Sequence, residues 1–409
     1  MPRPVILDQE RRLTSRLSAS DVERLRAIPT RRELERSPIW KATRDAVEEL
    51  TLGIEFGRPR EPAPRPESGF LRAVTWNIER GNRLDAIAAY LAENEAIRAC
   101  DVLLLNEVDI GMARSGNRNV AAEIADRLGF EHVFGNSYLC LAHGDTRDGQ
   151  SDAANEVGLH GNAILSRWPL RRAENIRIAI TRDKFESSEK RLGHKKALWA
   201  EVDSPIGPLA VVSVHLDPYA SPAQRVRQLA DVLRTLQERE ISAPVLLGGD
   251  LNTTTYDLET IPRLLWNIAL KMARGGFPHA IHHYMRPHEL YERELFEALR
   301  AAHFDFEAFN DMTRGSARYE VGTFDSESKI TDHLPAFVVP LLRWRLEPWN
   351  GVAPLKIDWF AARDLRALRG GERRDPGGRE SMNPTVFERA RLRGQALSDH
   401  DPILVDVAR

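Results

Sequence analysis

Short apolar runs recur along the chain, and amphipathic helical patterns separate some of these runs but not others. Runs of this length between polar residues predict buried strands, which we place at 71–76, 101–105, 162–165, 197–202, 209–214, 245–247 and 403–407. Helices are predicted where apolar residues repeat at helical spacing, at 84–98, 120–128 and 222–239. Because several strands follow one another directly, we predict a mixed α/β domain in which β-sheets pack face to face beneath helices.

The composition disfavours several classes of protein. The chain has 409 residues, and its 58 Lys and Arg nearly balance 60 Asp and Glu, which argues against coating of nucleic acid or anionic membrane by bulk charge. The two cysteines, Cys100 and Cys140, form no CxxC or zinc-like spacing and fit a reducing compartment. No stretch approaches the roughly 18 apolar residues of a membrane span, and no apolar signal core follows the first residues. We therefore expect a cytoplasmic protein without a transmembrane segment.

The chain divides at a proline-rich segment. Residues 1–66 are predicted to form a helical N-terminal extension that ends in an extended linker, since repeated prolines at 57–66 exclude a helix. Residues 67–409 are predicted to form the main domain. Between about 257 and 345 the strand patterns weaken and helices are predicted at 261–274 and 289–302, so we interpret this part as a helical insertion.

Polar side chains follow the apolar runs at the points where the predicted strands end. These residues are Asn77, Glu107, His215, Asp217, Asp250 and Asn252, and Ser398, Asp399 and His400 immediately precede the last predicted strand. Strand ends give side chains a rigid base and an opening to solvent, so we expect these groups to converge on one rim. Asp250 and Asn252 are two positions apart, so an extended backbone points both side chains the same way. Taken alone, this pair is equally typical of a turn at a strand exit.

Seven motifs, most of them containing these residues, follow one another along the chain. They read VTWNI at 74–78, LNEVD at 105–109, GNAILSR at 161–167, SVHLD at 213–217, GGDLN at 248–252, KIDW at 356–359 and SDHDP at 398–402. In content and order they resemble the motifs of the endonuclease/exonuclease/phosphatase superfamily, which has the deoxyribonuclease-I-like fold. The resemblance implies a four-layer α/β sandwich of two mixed β-sheets, packed face to face and flanked by helices. It also implies divalent-metal-dependent hydrolysis of a phosphate ester.

Cleavage of a phosphate ester needs charge neutralisation at the non-bridging oxygens, an activated water and a stabilised leaving oxygen. A hard divalent cation bound by oxygen ligands meets the first need, and carboxylate and amide oxygens suit Mg²⁺ or Mn²⁺. Glu107 is the leading metal ligand, with Asn77 beside it and Asp399 as a third contact. The absence of cysteine clusters in the sequence disfavours structural zinc.

The resemblance implies roles for five further residues. Asp250 would orient or deprotonate the attacking water, and Asn252 would donate its amide to a phosphate oxygen. His400 would contact the phosphate or carry a proton, with Asp358 fixing its tautomer, as a carboxylate behind an imidazole generally does. His215 would supply a second donor to the phosphoryl group. The general base stays open between Asp250, which we favour, and His400.

Other polar groups have weaker claims to a site. Four histidines of the insertion could place two or three side chains on one helical face: His279, His282, His283 and His288. They could bind a metal, although a solvated or partly buried face is the more typical interpretation. His160 could line the cleft or be a histidine at a strand edge, and Asn162 could support the residues that line the cleft. Basic residues at 190–196 and 363–379 could grip phosphates if Asp358 lies at the rim, or they could belong to solvated loops.

Three functions fit these features. The first is a metal-dependent phosphodiesterase acting on nucleic acid, which the basic stretches favour and the near-neutral charge disfavours. The alternative is a phosphohydrolase for a smaller substrate, such as a lipid head group, an inositol phosphate or a nucleotide, with the insertion narrowing the cleft. A catalytically silent binding module is the least favoured, because such a module usually lacks one or two strand-end residues and this chain has them all.

Overall fold

The structure is a computed structural model that describes residues 4–142, 144, 153–320, 344 and 347–409. Its strands are β1 (Val5–Ile6), β2 (Ile54–Gly57), β3 (Leu71–Arg80), β4 (Val102–Ile110), β5 (Glu131–Cys140), β6 (Leu159–Ser166), β7 (Leu170–Arg177), β8 (Arg191–Gly193), β9 (Lys196–Ser204), β10 (Gly207–His215), β11 (Val245–Asp250), β12 (Ala317–Glu320), β13 (Val352–Leu355), β14 (Asp358–Arg363), β15 (Arg366–Ala367), β16 (Thr385–Val386), β17 (Arg391–Leu392), β18 (Gln395–Ala396) and β19 (Ile403–Ala408). Its helices are α1 (Ala19–Arg26), α2 (Arg31–Arg36), α3 (Pro38–Leu52), α4 (Leu84–Glu93), α5 (Glu95–Arg98), α6 (Val120–Leu128), α7 (Pro222–Glu238), α8 (Ile261–Ala273), α9 (Gly276–Met285) and α10 (Arg293–Ala301). Residues 321–343 and 345 of the predicted insertion lie outside the described residues.

Most of the described strands join two large sheets. The six-stranded sheet has the order β1-β7-β9-β10-β11-β14, and the nine-stranded sheet has the order β15-β19-β3-β4-β6-β5-β2, with β16 beside β19 and β8 beside β5. Each sheet contains one parallel pair, β10 with β11 and β3 with β4, among antiparallel neighbours. Both sheets are therefore mixed, as the direct succession of strands predicts.

Apolar side chains hold four layers together. Between the sheets lies a cluster with members from both inner faces, including Leu104, Ile164, Leu198, Leu246 and Phe360. On the other face of the nine-stranded sheet, Ile87 of α4 and Ile124 of α6 pack in one cluster with Trp76. On the other face of the six-stranded sheet, Leu229 of α7 and Phe296 of α10 pack with Trp359. Full burial of a side chain of this size contributes about 1.5–3 kcal/mol. The predicted four-layer sandwich is confirmed.

Local capping determines where the predicted helices begin and break. Ser221 caps α7 in a capping box with Gln224, which matches the predicted start at residue 222. In the N-terminal extension, α2 and α3 are separate helices, because Ser37 is extended and caps α3 ahead of Pro38. The helix predicted at 84–98 breaks at Asn94, which caps α5.

The first 66 residues also contain two short strands that the sequence patterns do not predict. β1 pairs with β7 at the edge of the six-stranded sheet, and β2 pairs with β5 at the edge of the nine-stranded sheet. Runs of two and four residues are too short to show alternation, and only their pairing makes them strands. The division of the chain at residue 66 stays a prediction. Among the described helices, none has the length and apolar character needed to cross a bilayer.

Candidate active site

Strand register places three of the predicted residues side by side. His215, at the end of β10, lies opposite Asp250, at the end of β11. Asp250 in turn lies opposite Asp358, the first residue of β14. Neighbouring strands are about 4.8 Å apart, so the three side chains form a row across one end of the six-stranded sheet. Each of the three is at most 2% exposed, so their charges interact with little screening by water.

Asn77 and Glu107 reach the same region from the nine-stranded sheet, but they do not end their strands as predicted. β3 continues to Arg80 and β4 to Ile110, and the register between them shifts after Asn77. Glu107 has a φ of 53°, and Glu79 a φ of 47°. Left-handed backbone at such residues is strained, and irregular strand pairing re-aims side chains beside many active sites. The strand ends predicted at 77 and 107 are therefore irregularities within longer strands.

The Asp250 carboxylate is held by two amide side chains. Its Oδ2 accepts from Asn252 Nδ2 at 3.0 Å and from Asn77 Nδ2 at 3.2 Å, and its Oδ1 accepts from the Asn252 backbone N–H at 2.8 Å. Asn252 Nδ2 also donates to the Leu216 carbonyl at 2.9 Å. Both amide hydrogens of Asn252 are thus engaged, so donation to a phosphate oxygen would have to replace one of these bonds.

The pKa of Asp250 is raised to about 6, chiefly by burial and also by repulsion from Asp358, against the attraction of His400 and Lys195. A carboxylate near this value is ionised at neutral pH and is still basic enough to accept a proton from water. That combination is typical of a general base.

His400 is oriented by Asp358. His400 Nδ1 lies 2.8 Å from Asp358 Oδ2, while Nε2 lies 3.9 Å from Asp250 Oδ2. Burial disfavours the charged imidazolium, but the carboxylates of Asp358, Asp399 and Asp250 outweigh it and raise the pKa of His400 to about 10. The imidazole therefore carries a proton at neutral pH. Asp358 fixes the ring so that Nε2 faces the row of site residues.

Three carboxylates gather beside Asn77. Burial raises the pKa of Glu79, and repulsion from Asp399 and Glu107 raises it further, while Arg83 lowers it. Mutual repulsion of this kind is relieved by a cation, and carboxylate oxygens are the ligands that Mg²⁺ prefers. Glu79 adds a carboxylate beside Asn77 that the motifs do not point to. Binding of a cation by Glu107, Asn77 and Asp399 stays a prediction.

A second group could also hold a cation. Ligand atoms of Asp250, Asp358 and His400 all lie within 4.8 Å of one another, and all three residues are buried. Oδ1 of Asp358 is buried without a hydrogen-bond partner among the described residues. The site thus offers oxygen ligands on both sides of Asp250.

Lys195 is a site residue that sequence reasoning placed only within a basic stretch. Its Nζ lies 2.8 Å from His215 Nδ1 and also contacts Nε2. Burial lowers the pKa of Lys195 to about 7, against the attraction of Glu107, Asp217 and Asp250. His215 Nε2 lies 3.5 Å from Asp250 Oδ2 and 3.8 Å from Glu107 Oε1. Lys195 and His215 therefore supply positive or donating groups between the carboxylates of the two sheets.

Comparison with protein-family models matches residues 74–400 to the endonuclease/exonuclease/phosphatase family. This match spans most of the chain and all of the site described above. The chain belongs to the endonuclease/exonuclease/phosphatase family. A search of curated proteins returned no match.

Solved structures of family proteins are similar to this chain. An endonuclease/exonuclease/phosphatase from Beutenbergia cavernae DSM 12333 is 19% identical, with a TM-score of 0.49 over 83% of this chain and 72% of that chain. A family protein from Leptotrichia buccalis C-1013-b is 12% identical, with a TM-score of 0.44 over 83% of this chain and 100% of that chain. The human Nocturnin catalytic domain with bound sulfate is 16% identical, with a TM-score of 0.42 over 87% of this chain and 96% of that chain.

In this member of the family, the arginine-rich segment after Asp358 does not begin beside the cleft. Arg363 lies opposite Val245, at the end of β11 remote from Asp250. A strand of six residues carries the chain about 17 Å, so the loop starts at the far end of the sheet. Arg379 is likewise bound to Asp101, which precedes β4. Of the two interpretations left open by the sequence, the start of this segment at the rim is excluded, because β14 starts at the rim and runs away from it.

The remaining candidates support the site or lie apart from it. Asn162 Oδ1 accepts from Asn106 Nδ2 at 3.0 Å, and Asn106 Oδ1 accepts from the Asp250 backbone N–H at 2.9 Å. Asn162 therefore holds Asp250 through Asn106. His160 is bound to Asp109 at 2.7 Å, within a buried pair that Asp109 forms with Arg114. That histidine belongs to an internal ion network.

Proposed function

We propose that this protein is a divalent-metal-dependent phosphoesterase that hydrolyses a phosphodiester or a phosphomonoester where β10, β11 and β14 meet the rim. The observation that carries the proposal is the row of His215, Asp250 and Asp358 with His400 across it. Asp250, a buried base, and His400, a buried acid, lie next to each other there, and their pKa values are widely separated. Such a pair defines acid and base roles without further groups.

Proton movements follow from these positions. Asp250 accepts a proton from the water that attacks phosphorus, and His400 Nε2 donates a proton to the leaving oxygen as the P–O bond breaks. Lys195 and His215 hold a non-bridging oxygen through donated hydrogen bonds, and Asn252 and Asn77 hold Asp250. Glu107, Asn77, Asp399 and Glu79 would bind the cation. A bound Mg²⁺ or Mn²⁺ supplies charge neutralisation for the phosphate oxygens.

Removal of divalent cations tests the metal requirement. We expect EDTA to abolish hydrolysis of bis(p-nitrophenyl) phosphate and of p-nitrophenyl phosphate, and added Mg²⁺ or Mn²⁺ to restore it. Glu107→Gln should lower the rate at least about 100-fold at a fixed Mg²⁺ concentration, since even a partner of a ligand costs about 10–100-fold in metal affinity or activity. Glu201→Gln, in a surface pair with Arg172, is the matched control. Full activity in EDTA would contradict the proposal.

A smaller phosphate ester is the substrate class that one observation favours over long nucleic acid. The arginine-rich segment begins at the far end of the sheet. In the other basic stretch, Lys190 donates to the Arg26 and Ile28 carbonyls and Lys196 to the Ser137 carbonyl. Lys195 contacts His215 in the row, so it can bind one phosphate group but does not form a series of phosphate contacts along a nucleic acid.

A substrate panel separates the two classes. We expect nucleotides, inositol phosphates or phospholipid head groups to be hydrolysed with a higher kcat/KM than plasmid or oligonucleotide, and with little effect of added salt. A nuclease that neutralises several phosphates should instead lose activity steeply with salt, with a logarithmic slope of about −0.9 per phosphate contacted on duplex. Faster cleavage of plasmid with such a slope would contradict the small-substrate proposal and leave the metal-dependent reaction standing.

A further inference from the structure

Helix α9 and the turn after it form a second cluster of metal-binding side chains. His282 Nε2 lies 2.7 Å from Glu289 Oε2, which belongs to the 3-10 turn at Pro287–Glu289. Ligand atoms of His282, His283 and Glu289 all lie within 4.8 Å of one another. The rings of His279 and His283 pack edge to face, with centroids 4.5 Å apart.

His283 provides an independent indication of a ligand. It is 9% exposed, and no group among the described residues hydrogen-bonds to its buried Nδ1. Buried polar atoms nearly always have a partner, and one without a partner costs about 1–3 kcal/mol. The ring of His283 packs against those of His279, His282 and Tyr291, with centroids 4.5, 4.9 and 5.3 Å away. A cation would satisfy it.

We infer that His282, His283 and Glu289 form a binding site for a divalent transition metal, Zn²⁺ in particular, separate from the cation site of the cleft. Two imidazoles and one carboxylate are a donor set that suits zinc and leaves a fourth position for water. The ligands of the cleft are mostly carboxylate and amide oxygens, which suit Mg²⁺. The two sites therefore differ in chemistry as well as in position.

The position of α9 indicates what the metal does. The Tyr284 carbonyl on α9 accepts from the Lys356 backbone N–H at 3.0 Å, two residues before Asp358. Ile281 and Tyr284 also pack in one apolar cluster with Leu355 of β13. A metal that ties α9 to the turn carrying Glu289 would brace the segment that leads into Asp358.

Zinc binding to the full chain tests the inference. Bound Zn²⁺ per chain would be measured by equilibrium dialysis and elemental analysis with Mg²⁺ in large excess, together with the Tm. We expect His282→Ala and Glu289→Gln each to bind one Zn²⁺ fewer than the wild type, or to bind it at least about 100-fold more weakly. Zn²⁺ should raise the Tm of the wild type by more than that of either variant.

The variants are chosen so that folding does not decide the result. His282 and Glu289 are partly exposed, with side chains 45% and 41% accessible, so neither change empties the core. The control is His303→Asn, which removes an exposed histidine outside the cluster and keeps a residue type that tolerates its φ of 62°. Equal Zn²⁺ binding by the wild type and both cluster variants, or no binding by the wild type, would overturn the inference. Neither result would bear on hydrolysis at the cleft.

Discussion

Asp250→Asn should lower kcat/KM for phosphate-ester hydrolysis by about 100–10,000-fold, because an amide cannot accept the proton of the attacking water. The fold should survive this change. The new amide loses one acceptor, which costs about 1–3 kcal/mol when its neighbour is left unpaired. Against that, burial and Asp358 raise the pKa of Asp250 to about 6, so above this pH the ionised carboxylate destabilises the folded state. Removing the charge therefore stabilises the folded state and offsets the cost of the lost acceptor.

Steady-state kinetics on bis(p-nitrophenyl) phosphate, with circular dichroism and the Tm as checks of folding, would measure this effect. Asp203→Asn is the matched control, since the same chemical change is made at an exposed residue paired with Arg171. Asp203 lies near the end of β9 that is remote from Lys195. If Asp250→Asn retains activity within a few-fold of Asp203→Asn, then Asp250 is not the base.

His400→Ala should lower kcat about 100–1,000-fold, and adding Asp358→Asn should lower it no further. Asp358 contacts Nδ1 of the ring, and in the proposed mechanism it acts on the substrate only through His400. The double variant should nevertheless be more stable than His400→Ala. His400→Ala leaves Asp358 as a buried charge without its partner, and breaking such a pair costs about 3–5 kcal/mol. The double variant removes that charge and should unfold at a higher temperature than His400→Ala.

The comparison needs the wild type, Asp358→Asn, His400→Ala and the double variant, each measured for kcat, KM and Tm. Asp358→Asn alone should lower kcat less than His400→Ala, because the imidazole remains but its orientation is less constrained. A further loss of activity when Asp358→Asn is added to His400→Ala would mean that Asp358 acts directly on the substrate or on the cation. That result would reassign Asp358 without disturbing the role of His400.

His215 and Asp250 could be predicted from the sequence because each directly ends an apolar run, whereas Asp358 was predicted from the KIDW motif at 356–359 and the family resemblance. Strand register then brings them together without any further information. Glu79 could not be predicted in this way, since its position depends on a left-handed φ of 47° inside β3. Its spacing of two from Asn77 was the signal available. Lys195 could not be predicted for another reason. In the sequence it resembles the other basic residues of its stretch, and only its burial in the structure distinguishes it from them.

Two parts of the fold could not be predicted from the sequence patterns, for physical reasons. α9 begins at Gly276 and includes Pro278, residues that normally break helices, so periodicity alone does not predict it. The position of the arginine-rich segment stayed open because a sequence does not state the direction in which a strand runs. β14 is antiparallel to β11, so it leads from Asp358 at the rim to Arg363 at the far end of the sheet, where the arginine-rich segment begins.

The place of β19 in the sheet has a consequence for biosynthesis. This strand lies between β15 and β3 in the nine-stranded sheet, and it begins three residues after His400. A ribosome adds β3 more than 300 residues before it adds β19, so β3 waits through most of translation with its edge unpaired. Until the chain has been made through Ala408, the nine-stranded sheet lacks β19 and the His400 imidazolium is not held beside Asp358. We therefore expect the proposed site to lack the His400 imidazole until β19 has paired with β3.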